Sequence, residues 1–455
     1  MALQFLEAGT VARYRPVRRA PTAPVAALDW PSHVELQSSA DYASGYGSFV
    51  AQIRRGLKAH GVTVSEHPML DIIRDMPYQP QEPRLVRMPK SGELRYIGDD
   101  GLPLKFGTKG AAWARDHAII EAPLDWQFTE PGDRHAVRLA VGLPEGALYE
   151  GADRRVLFTM WESTELPTKL RPWAPHLRRA NLILVPAEHS RRVILDQVPE
   201  ARVDVVPLGL DAERWPFMDR SGRREDRPFI FLQVGDLSMR KGFVQAYQAF
   251  RKAFGDSREA VLVYKVRAGS DLNTPYYPGK WVQQFDDDGQ VVRDASGDPV
   301  LVWNREPARY RVRFTDGNVK TLRTDWSRRG LLDLYRAADC FVWPTLGEGW
   351  GYPPREAAAT GLPVITCAHT GQTDAHEWAY VIPHHENGMR AVFNTWGGQC
   401  GFLPTPDVDA LAERMRWVFE HRDEAREFGR MASAVVTRRS SADVARDILN
   451  AVSTI

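Results

Sequence analysis

Residues 341–365 read FVWPTLGEGWGYPPREAAATGLPVI, and they determine how the rest of the chain is interpreted. An apolar strand from Cys340 to Pro344 leads into a glycine-rich turn, and two consecutive prolines follow where a helix would begin. Proline suits the first turn of a helix, because the N–H that it lacks has no partner there. Glycines let a ligand approach the backbone closely, and the free N–H groups of a helix N-terminus attract phosphate. The stretch therefore predicts a strand, an anion-binding loop and a helix.

Two carboxylates, Glu348 and Glu356, flank this loop at a spacing of eight positions. At the two ends of such a loop they can hold sugar hydroxyls on either side of a bound phosphate. The same pattern also fits ordinary packing in a doubly wound domain, where Glu356 is simply favoured near a helix N-terminus. The local chemistry leaves both interpretations open.

The run E-G-W-G-Y-P-P-R-E resembles the E-x7-E motif of retaining GT-B glycosyltransferases, family 4 in particular, and the following A-A-A-T-G-L-P-V-I resembles that family's helix, turn and next strand. The resemblance implies a nucleotide-sugar site. It assigns Glu348 to the transferred sugar and Glu356 to the ribose hydroxyls. The backbone amides of Gly349, Trp350 and Gly351 would then lie beside sugar and phosphate oxygens.

The composition favours two domains, and the net charge gives no sign of a strongly charged binding partner. A chain of 455 residues exceeds what one hydrophobic core usually supports. With 59 Lys+Arg against 58 Asp+Glu, the net charge of +1 excludes a strongly basic nucleic-acid-binding protein, although a local groove can still be basic. Cys340, Cys367 and Cys400 predict buried free thiols in a reducing compartment. We find no signal-type or 18-residue apolar segment, so we expect a cytoplasmic protein without a transmembrane helix.

Alternation of strands and helices occurs twice along the chain. A strand at 34–37, a Gly/Ser loop, a helix at 49–61 and a strand at 62–67 open the first half. The first half ends in P-L-G-L-D at Asp211, which resembles the interdomain hinge of family 4, and a second alternation starts at 229–235. The prediction is an α/β fold with two Rossmann-like, doubly wound domains that face a cleft, which is the GT-B fold.

We predict three segments with different roles. Residues 1–211 form an acceptor-side domain and residues 212–438 a nucleotide-sugar domain, in which residues 270–317 are an insertion of β-hairpins. Residues 439–455 form a helix, capped at Ser441, that in GT-B proteins crosses back to the N-terminal domain.

The sequence D-L-S-M-R-K-G at residues 236–242 follows an apolar strand and opens a helix. Arg240 and Lys241 at this junction would add positive charge to backbone N–H groups, which suits a diphosphate. The resemblance assigns Lys241 to the donor phosphates. Family members usually have a basic residue directly after the strand-ending glycine, where this chain has Asp236. One of the two usual phosphate cations is therefore either missing or supplied elsewhere, with Arg240 as the candidate. Gly45 and Gly47 match the family's glycine loop near the donor diphosphate and the acceptor.

Trp161 and Glu162 end a predicted strand at 156–163, so they point at the crevice by the strand-end rule. Their segment resembles one found in bacterial and phage family-4 proteins. An aromatic face stacks on sugars or bases, and a carboxylate orients a hydroxyl, so both residues are predicted on the acceptor side. A core Trp beside a surface Glu is the alternative.

We expect neither a metal ion nor a cofactor besides a sugar donor linked to UDP or GDP. The D-x-D within Asp286–Asp288 leads straight into Gly289, which is typical of a turn, and the histidines show no ligand spacing with the cysteines.

The resemblance implies retaining, metal-independent transfer of a hexose. The sequence leaves open the acceptor, which can be a glycan, a protein, a lipid or modified DNA, and the oligomeric state. A phage-type enzyme acting on hydroxymethylated pyrimidines is one alternative, based on Trp161 and on a basic ribbon predicted at 84–109 around an Asp100-Gly101 turn. A catalytically weakened GT-B protein that binds a nucleotide sugar or glycan is the other, motivated by Asp236.

Overall fold

Two sheets of six parallel strands each organise the computed structural model of the protein. The structure describes residues 30–38, 45–69, 84–87, 94–97, 136–149, 151–168, 171–223, 225–266, 279–283, 292–293, 301–305, 315, 317–323, 328–393 and 398–455.

The elements are numbered here in chain order. The described strands are β1 (His33–Ser38), β2 (Thr63–Pro68), β3 (Arg84–Arg87), β4 (Leu94–Ile97), β5 (Val137–Val141), β6 (Arg154–Phe158), β7 (Leu182–Val185), β8 (Val203–Val205), β9 (Phe229–Val234), β10 (Ala260–Val266), β11 (Gly279–Gln283), β12 (Leu301–Arg305), β13 (Val319–Arg323), β14 (Cys340–Trp343), β15 (Val364–Thr366), β16 (Tyr380–Val381), β17 (His384–Phe393) and β18 (Gly398–Pro406). The described α-helices are α1 (Gly45–Ala59), α2 (Ala174–Leu177), α3 (Glu188–Gln197), α4 (Phe243–Phe254), α5 (Arg328–Ala337), α6 (Tyr352–Ala359), α7 (Val408–Glu420), α8 (Arg422–Val436) and α9 (Ser441–Val452).

The first sheet has the strand order β2-β1-β5-β6-β7-β8, and the second has the order β13-β10-β9-β14-β15-β16. Strands β5, β7 and β14 are buried along their whole length, as expected for apolar runs in parallel sheets that are covered on both faces. This arrangement confirms the predicted α/β fold with two Rossmann-like halves. The boundaries after residues 211 and 438 stay predictions.

Each sheet has one place where the connections reverse direction. In the second sheet it lies between β9 and β14, because β10 and β13 flank one side of this pair and β15 and β16 the other. In the first sheet it lies between β1 and β5. Doubly wound sheets bind ligands beyond the carboxyl ends of the strands at such a switch point. The loops that follow β9 and β14 are therefore the expected location of a site.

Helix α1 begins earlier than the sequence pattern indicated. It starts at Gly45 rather than near Phe49, so Gly45 and Gly47 lie in its first turn and not in a loop. Phe49 and Ile53 are fully buried, and this packing keeps the preceding turn helical despite the weak helix propensity of glycine. Residues 39–44 of the predicted Gly/Ser loop lie outside the described residues.

Among the described residues, three antiparallel strand pairs stand apart from the parallel sheets, and one of them joins β17 to β18. Strand β11 pairs with β12 inside the predicted insertion at 270–317, as expected; the predicted Asp288-Gly289 turn lies between them, outside the described residues. Strand β3 pairs with β4 inside the predicted basic ribbon, and the predicted Asp100-Gly101 turn lies outside the described residues.

The C-terminal helix α9 packs against the first half of the chain. The indole N–H of Trp30 donates to Asn450 Oδ1 at 3.0 Å, and a ring nitrogen of His60 lies 2.8 Å from the Ala442 carbonyl oxygen. Asp211 of the P-L-G-L-D sequence accepts hydrogen bonds from the Ser441 backbone N–H at 2.7 Å and from its hydroxyl at 2.5 Å. The P-L-G-L-D sequence and the last helix are thus joined directly.

The predicted cap of this helix is wrong by one residue. Ser440 is the N-cap, and it forms a capping box with Asp443. Ser441 occupies the first helical position instead, where its hydroxyl is directed at Asp211. The sequence pattern missed this because both serines can cap, and only the position of Asp211 decides between them.

All three cysteines are free and buried, as predicted. Among the helices that the structure describes, none combines the length and the apolar character that crossing a bilayer requires.

Replacing Ser441 with Ala should lower the free energy of unfolding by about 1.5–3 kcal/mol, the usual worth of a hydrogen bond to a charged group. Burial alone would raise the pKa of Asp211, but hydrogen bonds from Ser441 and the Arg55 guanidinium outweigh it and lower that pKa. This stabilisation is therefore present at neutral pH and is lost as the pH falls through the titration range of Asp211. Urea unfolding at pH 7 and in acid checks both points; an equal loss at both pH values would contradict the role of Asp211.

Candidate active site

The loops after β9 and β14 bring a lysine and a glutamate into contact. Lys241 Nζ lies 2.7 Å from Glu348 Oε1, and both side chains are largely buried. Lys241 ends a short 3-10 turn that Gly242 closes with φ 71°. A Cβ at Gly242 would collide with the Pro344 carbonyl, so only glycine allows the two loops to pack this closely.

Arg240 provides a second cation next to this pair. One guanidinium nitrogen donates to the Gly347 carbonyl oxygen at 2.5 Å and lies 3.8 Å from Glu348 Oε1. The other terminal nitrogen lies 3.2 Å from Glu162 Oε1, which belongs to the first half of the chain. Arg240 therefore adds a second positive charge beside Glu348 and contacts both halves of the chain.

The electrostatics of the two cations differ. Burial alone would lower the pKa of Arg240, but Glu162, Glu348 and Asp236 outweigh burial and raise it. Burial and the neighbouring Arg240 lower the pKa of Lys241, against the opposing effect of Glu348. Asp236 thus contributes to the negative surroundings that stabilise the Arg240 guanidinium.

The glycine loop between the two glutamates is closely packed. Gly351 has φ 81° and precedes the first residue of α6, as the N-cap. A Cβ at Gly349 would collide with the Met160 side chain from the first half of the chain. The two prolines do lie in the first turn of α6, as predicted.

Arg355 fixes this loop, although the sequence pattern did not single it out. Its guanidinium makes two 2.7 Å bonds to the Asp374 carboxylate and donates to the Trp350 and Gly371 carbonyl oxygens, each at 3.2 Å. It also lies 3.8 Å from the centre of the Trp350 ring, a cation–π contact. The Trp350 side chain is therefore part of the scaffold.

Glu356 is buried inside α6 and accepts a hydrogen bond from the Tyr335 hydroxyl at 3.3 Å. Burial raises the pKa of Glu356 to about 7, and the Tyr335 hydrogen bond opposes this. The carboxyl is poised to titrate near neutral pH.

The two residues predicted on the acceptor side lie in different environments. Glu162 is at the site, in contact with Arg240. Trp161 is not: its ring is 1% exposed, packs edge-to-face on Trp173 at 4.5 Å, and donates its N–H to the Glu165 carbonyl oxygen at 2.7 Å. Strand β6 ends at Phe158, and the turn that follows carries Trp161 into the core, so the alternative of a core Trp describes it correctly.

The first turn of α1 also reaches the site. The negative charge of Glu162 and, above all, burial raise the pKa of Tyr46, which lies between Gly45 and Gly47, and Tyr46 in turn contributes to the raised pKa of Arg240. Farther along the helix, Gln52 Oε1 accepts a hydrogen bond from the Tyr352 hydroxyl of α6 at 3.0 Å. The two switch points therefore face each other across one cleft. The sequence indicated the two glycines but not the tyrosine.

Within the described residues, no group of three His, Cys, Asp or Glu side chains is arranged to hold a metal ion. His384 lies 3.1 Å from Glu386 at one ring nitrogen, and its ring packs edge-to-face on His369 at 4.8 Å. The residues Asp286–Asp288 lie outside the described residues.

The fold and the sequence of its second half define the class: the chain is a glycosyltransferase with the GT-B fold. Residues 304–421 match the family described as "Glycosyl transferases group 1", and this segment contains both glutamates of the motif. The chain is similar to the D-inositol 3-phosphate glycosyltransferase of Mycolicibacterium vanbaalenii, with 25% identity over 342 residues, 72% of this chain and 71% of the relative.

Solved structures show the same fold at low identity. The trehalose-6-phosphate protein from E. coli bound with UDP-2-fluoro glucose has a TM-score of 0.54 and 13% identity, over 93% of this chain and 99% of that one. WaaG, a glycosyltransferase involved in lipopolysaccharide biosynthesis, has a TM-score of 0.50 and 14% identity, over 92% of this chain and 99% of the other.

Replacing Glu356 with Gln should remove a pH dependence of stability. Because the folded-state pKa is about 7 and lies above the unfolded value, the protonated carboxyl stabilises the fold at acidic pH, and this is lost as the pH rises through 7. Between pH 5 and 8 the wild-type protein should lose about 2–3 kcal/mol of unfolding free energy relative to the Gln variant. Denaturant unfolding at both pH values measures this, and parallel pH profiles would show that the carboxyl is not buried as described.

Proposed function

We propose that this protein is a retaining hexosyltransferase that moves a hexose from a nucleoside-diphosphate sugar to an acceptor hydroxyl without a metal ion. The observation that carries the proposal is the cluster at the second switch point, where Lys241 and Arg240 lie within 3.8 Å of the Glu348 carboxylate. Two cations beside a carboxylate suit a ligand that is anionic at one end and rich in hydroxyls at the other.

Each predicted donor-binding residue has a role in this proposal. Lys241 and Arg240 bind the diphosphate, and Glu348 accepts a hydrogen bond from a hydroxyl of the transferred sugar. Glu356 faces the ribose. The remaining donor contacts are backbone groups on both sides of the cleft: Gly45 and Gly47 in α1, and Gly349, Trp350 and Gly351 in the loop.

The chemistry follows from the charges that develop at the anomeric carbon. The bond from this carbon to the diphosphate oxygen breaks, which leaves positive charge on the sugar and an additional negative charge on the diphosphate. Lys241 and Arg240 stabilise that negative charge in a largely buried site. The acceptor oxygen bonds to the same face of the anomeric carbon, and its proton passes to the departing phosphate oxygen. No catalytic pair of carboxylates is required.

The acceptor side is represented by Glu162, whose carboxylate contacts Arg240 and would compete with a diphosphate for it. When a diphosphate binds Arg240, the Glu162 carboxylate is released next to the reacting sugar. There it can accept a hydrogen bond from an acceptor hydroxyl.

The donor is a sugar linked to UDP or GDP, and the reaction is cytoplasmic. The E. coli fold relative holds UDP-2-fluoro glucose, and a relative from Burkholderia xenovorans is in complex with glucose-6-phosphate. These make UDP-hexoses the first donors and sugar phosphates the first acceptors to test.

Incubation with a panel of nucleotide sugars tests the function. We expect release of the free nucleotide from one donor, increased by the true acceptor and unaffected by EDTA. Tight binding of UDP or GDP without turnover of any donor would instead indicate a binding protein. Activity that EDTA abolishes and Mn²⁺ restores would refute metal independence.

Replacing Lys241 with Ala should weaken UDP binding by about 1.5–3 kcal/mol, because one charged hydrogen bond to the diphosphate is lost. Isothermal titration calorimetry measures it. Lys252→Ala is the matched control, since Lys252 lies on the exposed side of α4 and pairs with Asp409 at 2.5 Å. Unchanged affinity in the Lys241 variant would refute the assignment.

Replacing Glu162 with Gln should tighten UDP binding by about two- to tenfold, because Arg240 no longer shares its charge with a competing carboxylate. The control is Glu165→Gln in the same loop, whose side chain is exposed. If the Glu162 variant binds UDP equally or more weakly than the wild type, Glu162 does not compete for Arg240.

A further inference from the structure

The peptide unit of Glu348 is held by a second loop, the segment that follows β15. Thr370 Oγ1 accepts a hydrogen bond from the Glu348 backbone N–H at 3.0 Å. The next residue, Gly371, donates its N–H to the Glu348 carbonyl oxygen at 2.8 Å. Both backbone polar groups of Glu348 are thus bound by two consecutive residues, so the position of its side chain depends on this loop.

Thr370 makes these contacts in a strained conformation. It has φ 49°, and among the described residues it is the non-glycine residue with a positive φ. A β-branched residue is unfavourable in the left-handed region, and such strain persists only where surrounding contacts enforce it. Glycine or asparagine would fit the backbone with less strain, so the presence of threonine calls for a role of its side chain.

The Thr370 hydroxyl belongs to a chain of hydrogen bonds in which each donor and acceptor can be assigned. A ring nitrogen of His369, Nε2, lies 3.0 Å from the Thr345 carbonyl oxygen, which can only accept, so Nε2 carries the proton. Nδ1 of the same ring, 3.3 Å from Thr370 Oγ1, is then the acceptor of the Thr370 hydroxyl proton. Burial lowers the pKa of His369 to about 3, so the ring stays neutral, as this arrangement requires.

The chain returns to the Glu348 carboxylate. The hydroxyl of Thr345 lies 3.2 Å from Glu348 Oε1, the oxygen that also contacts Lys241. The side chain and the backbone of Glu348 are therefore connected through Thr345, His369 and Thr370. A Cβ at Gly371 would collide with the Gly349 carbonyl, so the two loops are packed too closely for any side chain at this position.

We propose that Thr370 is a positioning residue for the transfer reaction: its hydroxyl oxygen fixes the Glu348 peptide and thereby aims the Glu348 carboxylate at the transferred sugar. The inference rests on the proposed function, because it assigns Glu348 to the sugar. Thr370 contacts neither the nucleotide nor the diphosphate in this scheme. Its loss should therefore affect turnover of the sugar donor and leave the binding of UDP unchanged.

Three substitutions separate the hydroxyl from the backbone strain. Thr370→Ser keeps the oxygen, Thr370→Val keeps the branched shape without the oxygen, and Thr370→Gly removes the oxygen together with the strain. We expect the Val and Gly variants to turn over the donor about tenfold more slowly, the equivalent of one lost hydrogen bond, while Ser stays near the wild type. The Gly variant should be at least as resistant to heat as the Val variant, since it relieves the strain.

The experiment measures nucleotide release from the donor identified in the panel, the UDP affinity and the thermal midpoint for all four proteins. Slow turnover with unchanged UDP affinity in Val and Gly, and recovery in Ser, supports the proposal. Equal turnover in Ser, Val and Gly overturns it, as does a parallel loss of UDP binding and turnover, which indicates a structural role. If the Gly variant does not fold, the comparison of Val with Ser decides. A wild-type protein that binds neither UDP nor GDP and consumes no donor refutes the proposed function instead.

Discussion

The parallel pairing of β9 with β14 is the constraint on which the site depends. Because the two strands are neighbours and their onward connections go to opposite sides, the loops after them meet at one edge of the sheet. Lys241 and Glu348, 107 residues apart in sequence, come within 2.7 Å of each other as a result. Gly242 permits the approach, and Arg240 adds the second positive charge. A change of strand order would separate these groups without altering any of them.

The first half of the chain completes the site from across the cleft. Glu162 reaches Arg240, and Gln52 reaches Tyr352, which begins the helix after the glycine loop. Behind them, Asp211 joins the P-L-G-L-D sequence to the last helix through Ser441. Contacts between the halves thus include a group proposed to bind the donor, Arg240, so a ligand that binds Arg240 would act directly on one of these contacts.

Residues in local sequence patterns were predictable, and residues placed by packing were not. Lys241, Arg240 and Glu348 follow apolar strands and resemble a known motif, so the sequence indicated them. The role of Arg355 depends on Asp374 and Trp350, and that of Thr370 on a left-handed backbone that no pattern reveals. Trp161 was misplaced because periodicity does not show where a strand ends. The early start of α1 came from tertiary packing that outweighs the helix propensity of its glycines.

The central claim is that the cations at the second switch point bind the diphosphate of a sugar donor. A crystal structure of the protein soaked with UDP, or with the nucleotide sugar that it consumes, tests this most directly. The account predicts phosphate oxygens within hydrogen-bonding distance of Lys241 Nζ and of the Arg240 guanidinium, with Glu162 displaced from Arg240. A nucleotide bound elsewhere, or a diphosphate that leaves the contact between Arg240 and Glu162 intact, would contradict it.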